Sequence, residues 1–172
     1  MDAKIRQLST GNEAKNSHHL GPNQLISTLL TSDHFYLNDL IVLKQCLGQI
    51  PDTTIYFLVP DLISDLCTAD SFPELWVEEF STLLAIIEHL LNKQHFANIS
   101  TWVDAIAPTT EHHLSYLPVG LSLQYSYLYQ SLHSIKPSDN CILNILSTAQ
   151  TLHLTHTVSF LNLVDTKLHN CR

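Results

Sequence analysis

Two aspartates in this chain each follow an apolar run with the look of a buried strand. Asp61 comes after Ile55-Tyr56-Phe57-Leu58-Val59-Pro60, and Asp104 after Ile99-Ser100-Thr101-Trp102-Val103. If both runs are parallel strands, the carboxylates emerge at one sheet edge, where ligands of open α/β proteins bind. Two carboxylates that meet in a cleft can divide the general-acid and general-base roles. The competing reading makes both of them turn residues, because Asp side chains readily hydrogen-bond to nearby backbone.

The chain also carries eleven histidines, among them the pairs His18/His19, His112/His113 and His153/His156. A histidine count this high makes the charge sensitive to pH near neutrality. His153 and His156, three residues apart, can share a helix face, and Cys141 or Cys171 would extend the set. A zinc or iron site needs three or four converging ligands. No HExxH or paired CxxC spacing supports one, so no metal is expected. The phosphate-cradling and nucleophile-elbow patterns GxxxxGK[ST], GxGxxG and GxSxG are absent too. With four glycines in 172 residues, no cofactor is expected either.

Composition narrows the partners. Hydrophobic residues make up 45% of the chain, enough for a full core, while only 14% are charged, against a usual ~25%. The formal charge is −8, and the eight lysines and arginines form no cluster. Nucleic-acid binding needs several cations on one face, so nucleic acid is disfavoured and a protein partner or a homo-oligomer is expected. No apolar run approaches the ~20 residues that span a membrane. Residues 1–16 are polar and lack the apolar stretch of a secretory signal, and the four scattered cysteines read as reduced. A cytoplasmic protein is expected.

The elements that must position these groups read as follows. Residues 25–30 fit a buried strand or the first turns of a helix. A helical pattern runs from Asp33 through Phe35, Leu40 and Leu43 to Gly48 and Pro51. A strand is expected at 55–59 and a short helix at 61–68. The clearest helix covers 73–93, with Ser71 as N-cap, Pro73 near its first position and Glu74 completing a capping box. Its stripe is Leu75, Trp76, Phe80, Leu83, Leu84, Ile87, Leu90 and Leu91, and Glu78, Glu79 and Glu88 are expected on its solvated side. A third strand is expected at 99–103. Leu121, Leu123, Tyr125, Tyr127 and Tyr129 alternate with polar residues as in a half-buried strand, yet Tyr125, Leu128 and Leu132 also fit a helix face. The last stretch is equally divided, and its threonines at 148, 151, 155 and 157 lower helix propensity. Together these elements predict a polar leader over 1–21 and a single α/β domain over 22–172. That domain would hold a small, mainly parallel sheet flanked by helices, with an all-helical bundle as the alternative.

The order of the pieces resembles the tRNA-dependent cyclodipeptide synthases, a Rossmann-like family that joins two aminoacyl groups into a cyclic dipeptide. The likeness covers roughly residues 25–104. It consists of Thr31-Ser32-Asp33-His34-Phe35-Tyr36 after the first apolar run, Tyr56-Phe57-Leu58-Val59-Pro60-Asp61, and Trp102-Val103-Asp104. The resemblance implies Ser32 as acyl-accepting nucleophile, Asp61 and Asp104 beside it, and charged tRNA as substrate. It would place a catalytic tyrosine near Phe160 and a glutamate near Val164 or Asp165. A phenyl ring has no hydroxyl to relay a proton, so those catalytic positions are not matched. Helix 73–93 is also acidic where a tRNA-binding helix would be basic.

Three functions follow from the sequence. The first is an acidic, cytosolic protein-binding module, such as an adaptor or chaperone-like subunit, with Trp76, Trp102, Tyr125, Tyr127 and Tyr129 as candidate anchors, since aromatics dominate binding energy. The second is a synthase-like aminoacyl transferase using Ser32, Asp61 and Asp104. The third is a histidine-based metal protein.

Overall fold

The computed structural model describes Ser27 and residues 35–68, 73–133 and 139–169. Among these residues there is no strand. Seven α-helices follow one another: α1 (Leu37–Cys46), α2 (Asp52–Cys67), α3 (Pro73–Asn92), α4 (Ile99–His113), α5 (Val119–His133), α6 (Asp139–Thr151) and α7 (Thr155–Val164). Short 3-10 turns follow α1 and α4, and a π-helical turn, Asp165–His169, follows α7.

This corrects the expected α/β, Rossmann-like architecture. The segment 55–59 lies inside α2, where Ile55, Leu58, Val59, Leu62 and Leu66 are buried. Their spacing of three and four residues is a helix stripe that continues beyond the supposed strand end. Phe57, in the middle of the run, is 73% exposed, as a helix requires and a strand buried on both faces does not. The second supposed strand, 99–103, opens α4, whose buried Ile99, Trp102, Val103, Ile106 and Thr110 repeat the same spacing. The expected first strand at 25–30, the Ser71 cap and the leader 1–21 lie outside the described residues.

Both misread helices contain a proline, Pro60 in α2 and Pro108 in α4. A proline in a helix interior removes one hydrogen bond and costs about 3 kcal/mol. The penalty is tolerated because each helix buries five or more residues. The carbonyls left without an N–H four residues on belong to Tyr56 and Asp104. Next to the second break, the Cys67 thiol donates to the Ala105 carbonyl at 3.6 Å and ties α2 to α4.

The twenty-residue α3 is the axle of the bundle. It packs against α1, α2, α5 and α7, while α6 lies on α5 and α7. Its stripe is the one expected but for Leu75, which is half-buried: Trp76, Phe80, Leu83, Leu84, Ile87, Leu90 and Leu91 are all buried. Full burial of one such side chain is worth about 1.5–3 kcal/mol. The acidic side of α3 is less solvated than the sequence implies. Glu79 is fully buried, and Glu78 and Glu88 are half-buried because α1 and α7 cover them. The Lys44 ammonium of α1 meets the Glu78 carboxylate and also donates to the Ser81 hydroxyl at 3.2 Å.

The stops of α3 and α6 use non-glycine residues in the left-handed region, Gln94 (φ 62°) and His153 (φ 55°). In each case the next N–H reaches back to a carbonyl five residues earlier, His95 to Leu90 at 2.9 Å and Leu154 to Ala149 at 3.0 Å. Both are Schellman closures, which absorb the last carbonyls of a helix. The closure after α3 turns His95 back onto the first turn of α2. There its Nδ1 lies 3.0 Å from the Asp52 carboxylate, which also accepts from the Lys93 ammonium at 2.6 Å.

Candidate functional site

The connection between α4 and α5 is apolar where a loop is ordinarily polar. A 3-10 turn, Leu114–Tyr116, is closed by the Leu117 N–H donating to the Leu114 carbonyl at 3.3 Å. Pro118 then starts α5, its carbonyl accepting from the Ser122 N–H at 3.1 Å. Leu117 turns inward and is buried, which forces its neighbours outward. Leu114, Tyr116 and Val119 are 44%, 57% and 54% exposed.

Opposite them stands the first turn of α3. Pro73, Glu74 and Val77 line an open cleft of about 340 Å³ together with Tyr116 and Pro118. From Tyr116 a row of rings runs inward, beginning with His113 at 6.0 Å between centroids. The His113 ring stacks on Trp76 at 4.7 Å between centroids, and Trp76 stacks on Phe80 at 5.2 Å. The Trp76 indole N–H donates to the Leu66 carbonyl at 3.1 Å, which ties the row to the end of α2. Glu74 is exposed at the rim, and Glu111 is exposed on the last turns of α4. Between Lys93 and Lys136 the sequence has no lysine or arginine at all. The α4–α5 side of the bundle is thus apolar, aromatic and acidic.

The residues singled out from the sequence are dispersed. Ser32 lies outside the described residues. Asp61 is on the exposed side of α2, one residue after Pro60. Asp104 faces α5, where its Oδ1 accepts from His133 Nε2 at 2.7 Å and its Oδ2 from the Ser100 hydroxyl at 3.4 Å. Phe160 and Val164 are core residues of α7.

Of the five aromatic candidates, Trp76, Trp102, Tyr125 and Tyr127 are buried. Trp102 tilts against Tyr56 at 5.5 Å. Burial pushes the Tyr125 phenol up to about 12, with a Thr110 hydrogen bond pulling the other way and Tyr129, Glu111 and Asp104 adding to the rise. Burial likewise pushes Tyr127 up to about 12, reinforced by Asp165 beside it. Neither phenol releases its proton at neutral pH, so both serve as packed, neutral groups. Tyr129 alone of the five is exposed, at 38%. It stands edge-on to His133 with centroids 4.3 Å apart.

Four of the described histidines, His89, His95, His133 and His156, pair with carboxylates of other helices. His156 Nε2 lies 3.4 Å from Glu88 of α3, and its Nδ1 is 3.2 Å from the Gln124 amide of α5. His153 ends α6, so the pair does not converge. Among the described residues no group of three histidines, cysteines or carboxylates is arranged to hold a metal ion. The His18/His19 pair and the Cys141 and Cys171 side chains lie outside what is described. His89, lodged between α3 and Asp52, has its imidazole held below the usual range by burial and then by Lys93, with Asp52 opposing. The Lys93 hydrogen bond holds the Asp52 carboxyl below the usual carboxylate range against a smaller cost of burial.

Sequence reasoning passed over Pro73, Val77, Tyr116 and Pro118 as site residues. The available signal was Leu114-Ser115-Tyr116-Leu117-Pro118-Val119, four large apolar groups around a helix-starting proline. No helix among the described residues is long and apolar enough to cross a membrane. Comparison of the chain with protein-family models, with curated proteins and with solved structures returned no match.

Proposed function

We propose that this chain is a helical protein-docking module that works in the cytosol and grips an apolar side chain of its partner in the cleft between α3 and the α4–α5 connection. One observation carries the reading: Leu114, Tyr116 and Val119 are exposed within one short connection, and Tyr116 and Pro118 of that connection line an open, mostly apolar cleft with Pro73, Glu74 and Val77. Exposed apolar groups that cluster at a concavity mark interaction sites, whereas singly scattered ones need no explanation. Aromatic anchors in preorganised pockets contribute most of the energy at such sites. The formal charge of −8, Glu74 at the rim and the exposed Glu111 on α4 favour a partner that is basic around its apolar anchor.

Selection from a displayed library of random peptides tests this. The reading expects enriched peptides to combine a large apolar residue with lysine or arginine, and to lose binding to Tyr116→Ala. Leu143→Ala, which truncates an equally exposed leucine on α6, is the control and should bind as the native chain does. Peptides that are insensitive to Tyr116→Ala, or that lose binding to the α6 variant instead, would place the docking surface elsewhere.

A further inference from the structure

We infer that the strip along α4 and α5, at Asp104, Glu111, Tyr129 and His133, receives an arginine carried by the docked segment on the same face of a helix as its apolar anchor and three turns away. The inference rests on the docking reading and fixes the chemistry of the occupant.

The strip pairs an anion with an aromatic face. Asp104 keeps half of its side chain in solvent although it accepts from His133 and Ser100. Tyr129 stands beside it across the His133 ring, and the Tyr125 ring continues the row at 5.9 Å. Glu111 follows Asp104 by two turns along α4, toward the cleft. The Asp104 carboxylate meets an imidazole and a hydroxyl donor rather than an ammonium or guanidinium group, and no lysine or arginine occurs on either helix. A planar guanidinium matches this arrangement better than an ammonium. It can lie on the Tyr129 face while its N–H groups donate to Asp104.

The spacing follows from α5 itself. Pro118 at the cleft and Tyr129 on the strip are eleven residues apart along α5, roughly 16 Å at 1.5 Å per residue and on one face. A partner helix laid along the α4–α5 pair covers that distance in about three turns, which brings residues i and i+11 onto one face. An arginine at i+9 points to the opposite face.

Two capped alanine–glutamine helical peptides test this, each with one Phe, with the Arg eleven residues later in one and nine residues later in the other. Fluorescence anisotropy with the full chain reads their affinities. The i+11 peptide should bind about three- to tenfold more tightly, as expected for one cation–π contact plus a charge-assisted hydrogen bond. Asp104→Asn and Tyr129→Leu should each erase most of that difference, and Tyr116→Ala should weaken both peptides alike. Helicity of each variant, read by circular dichroism, confirms that it is folded. Equal affinity of the two peptides, or a difference that survives both strip variants, overturns the inference while leaving the docking reading intact. Binding of neither peptide, or binding indifferent to Tyr116→Ala, overturns the docking reading itself.

Discussion

Three consecutive residues in α2 distinguish the helical architecture from a sheet more sharply than any others. Phe57 is 73% exposed, whereas Leu58 and Val59 are buried. Phe57→Ser therefore removes a side chain that is mostly in water and should change stability by no more than about 0.5 kcal/mol. Leu58→Ala deletes a fully packed side chain and leaves a cavity, for a loss of about 2–5 kcal/mol. Val59→Ala removes less and should cost about 2 kcal/mol. For a chain of this length, each kcal/mol moves the melting temperature by about 2–4 °C. A mid-range Leu58→Ala then melts roughly 6–12 °C below the native chain, and Phe57→Ser within about 2 °C of it. Differential scanning calorimetry, or urea unfolding followed by circular dichroism, measures all three. On a strand, residues 57 and 59 share one face and 58 the other, so 57 and 59 must respond alike. Equal losses for Phe57→Ser and Val59→Ala would refute the helix.

Three further outcomes follow from particular contacts. A Cβ on Gly120 would stand 2.9 Å from the Thr157 hydroxyl, so Gly120→Val should destabilise by about 1–3 kcal/mol. Thr157→Ala in the same chain should recover part of that loss in a double-mutant cycle. Acid should lower the melting temperature through two groups. His89 has a depressed pKa, so its unfolded form takes up the proton first, and stability falls as pH drops through the ordinary imidazole range. Asp52 is also depressed, so its contribution is present above the ordinary carboxylate range and is lost below it. His89→Gln should flatten the melting-temperature profile in the upper window only, which thermal scans across pH will show. Finally, Trp76→Phe removes the indole N–H bonded to Leu66 and should cost about 1 kcal/mol or more by equilibrium unfolding.

Parts of this architecture were legible in the sequence and others were not, for identifiable reasons. Helix α3 was readable because its apolar stripe is long, regular and flanked by charge. Residues 55–59 were misread because five consecutive apolar residues mimic a buried strand, and Pro60-Asp61 mimics its end. The evidence against that reading lay downstream, in Leu62 and Leu66 continuing the stripe past the proline. The alternating tyrosines misled in the same way. On α5, Tyr125 and Tyr129 lie four residues apart with tilted rings in contact, while Tyr127 turns away toward Asp165. The threonines near the C-terminal end argued against helix by propensity. In α6, however, the Thr148 and Thr151 hydroxyls donate to carbonyls four residues earlier, at 2.7 and 2.8 Å. This back-bonding keeps a polar side chain satisfied within a helix. Asp104 was recognisable as a notable acid, but nothing local announces its partner, His133, 29 residues further along the chain. The cleft was hidden for a different reason. Its residues come from two segments, and only the tertiary packing of α3 against α5 brings them together.

The docking claim is tested most directly by amide chemical-shift mapping of the full chain during titration with the i+11 phenylalanine–arginine peptide. Saturable shifts confined to residues 74–77, 104–119 and the exposed side of α5 are the expected result. Shifts scattered over the bundle, or centred on the exposed Leu143 of α6, would contradict it.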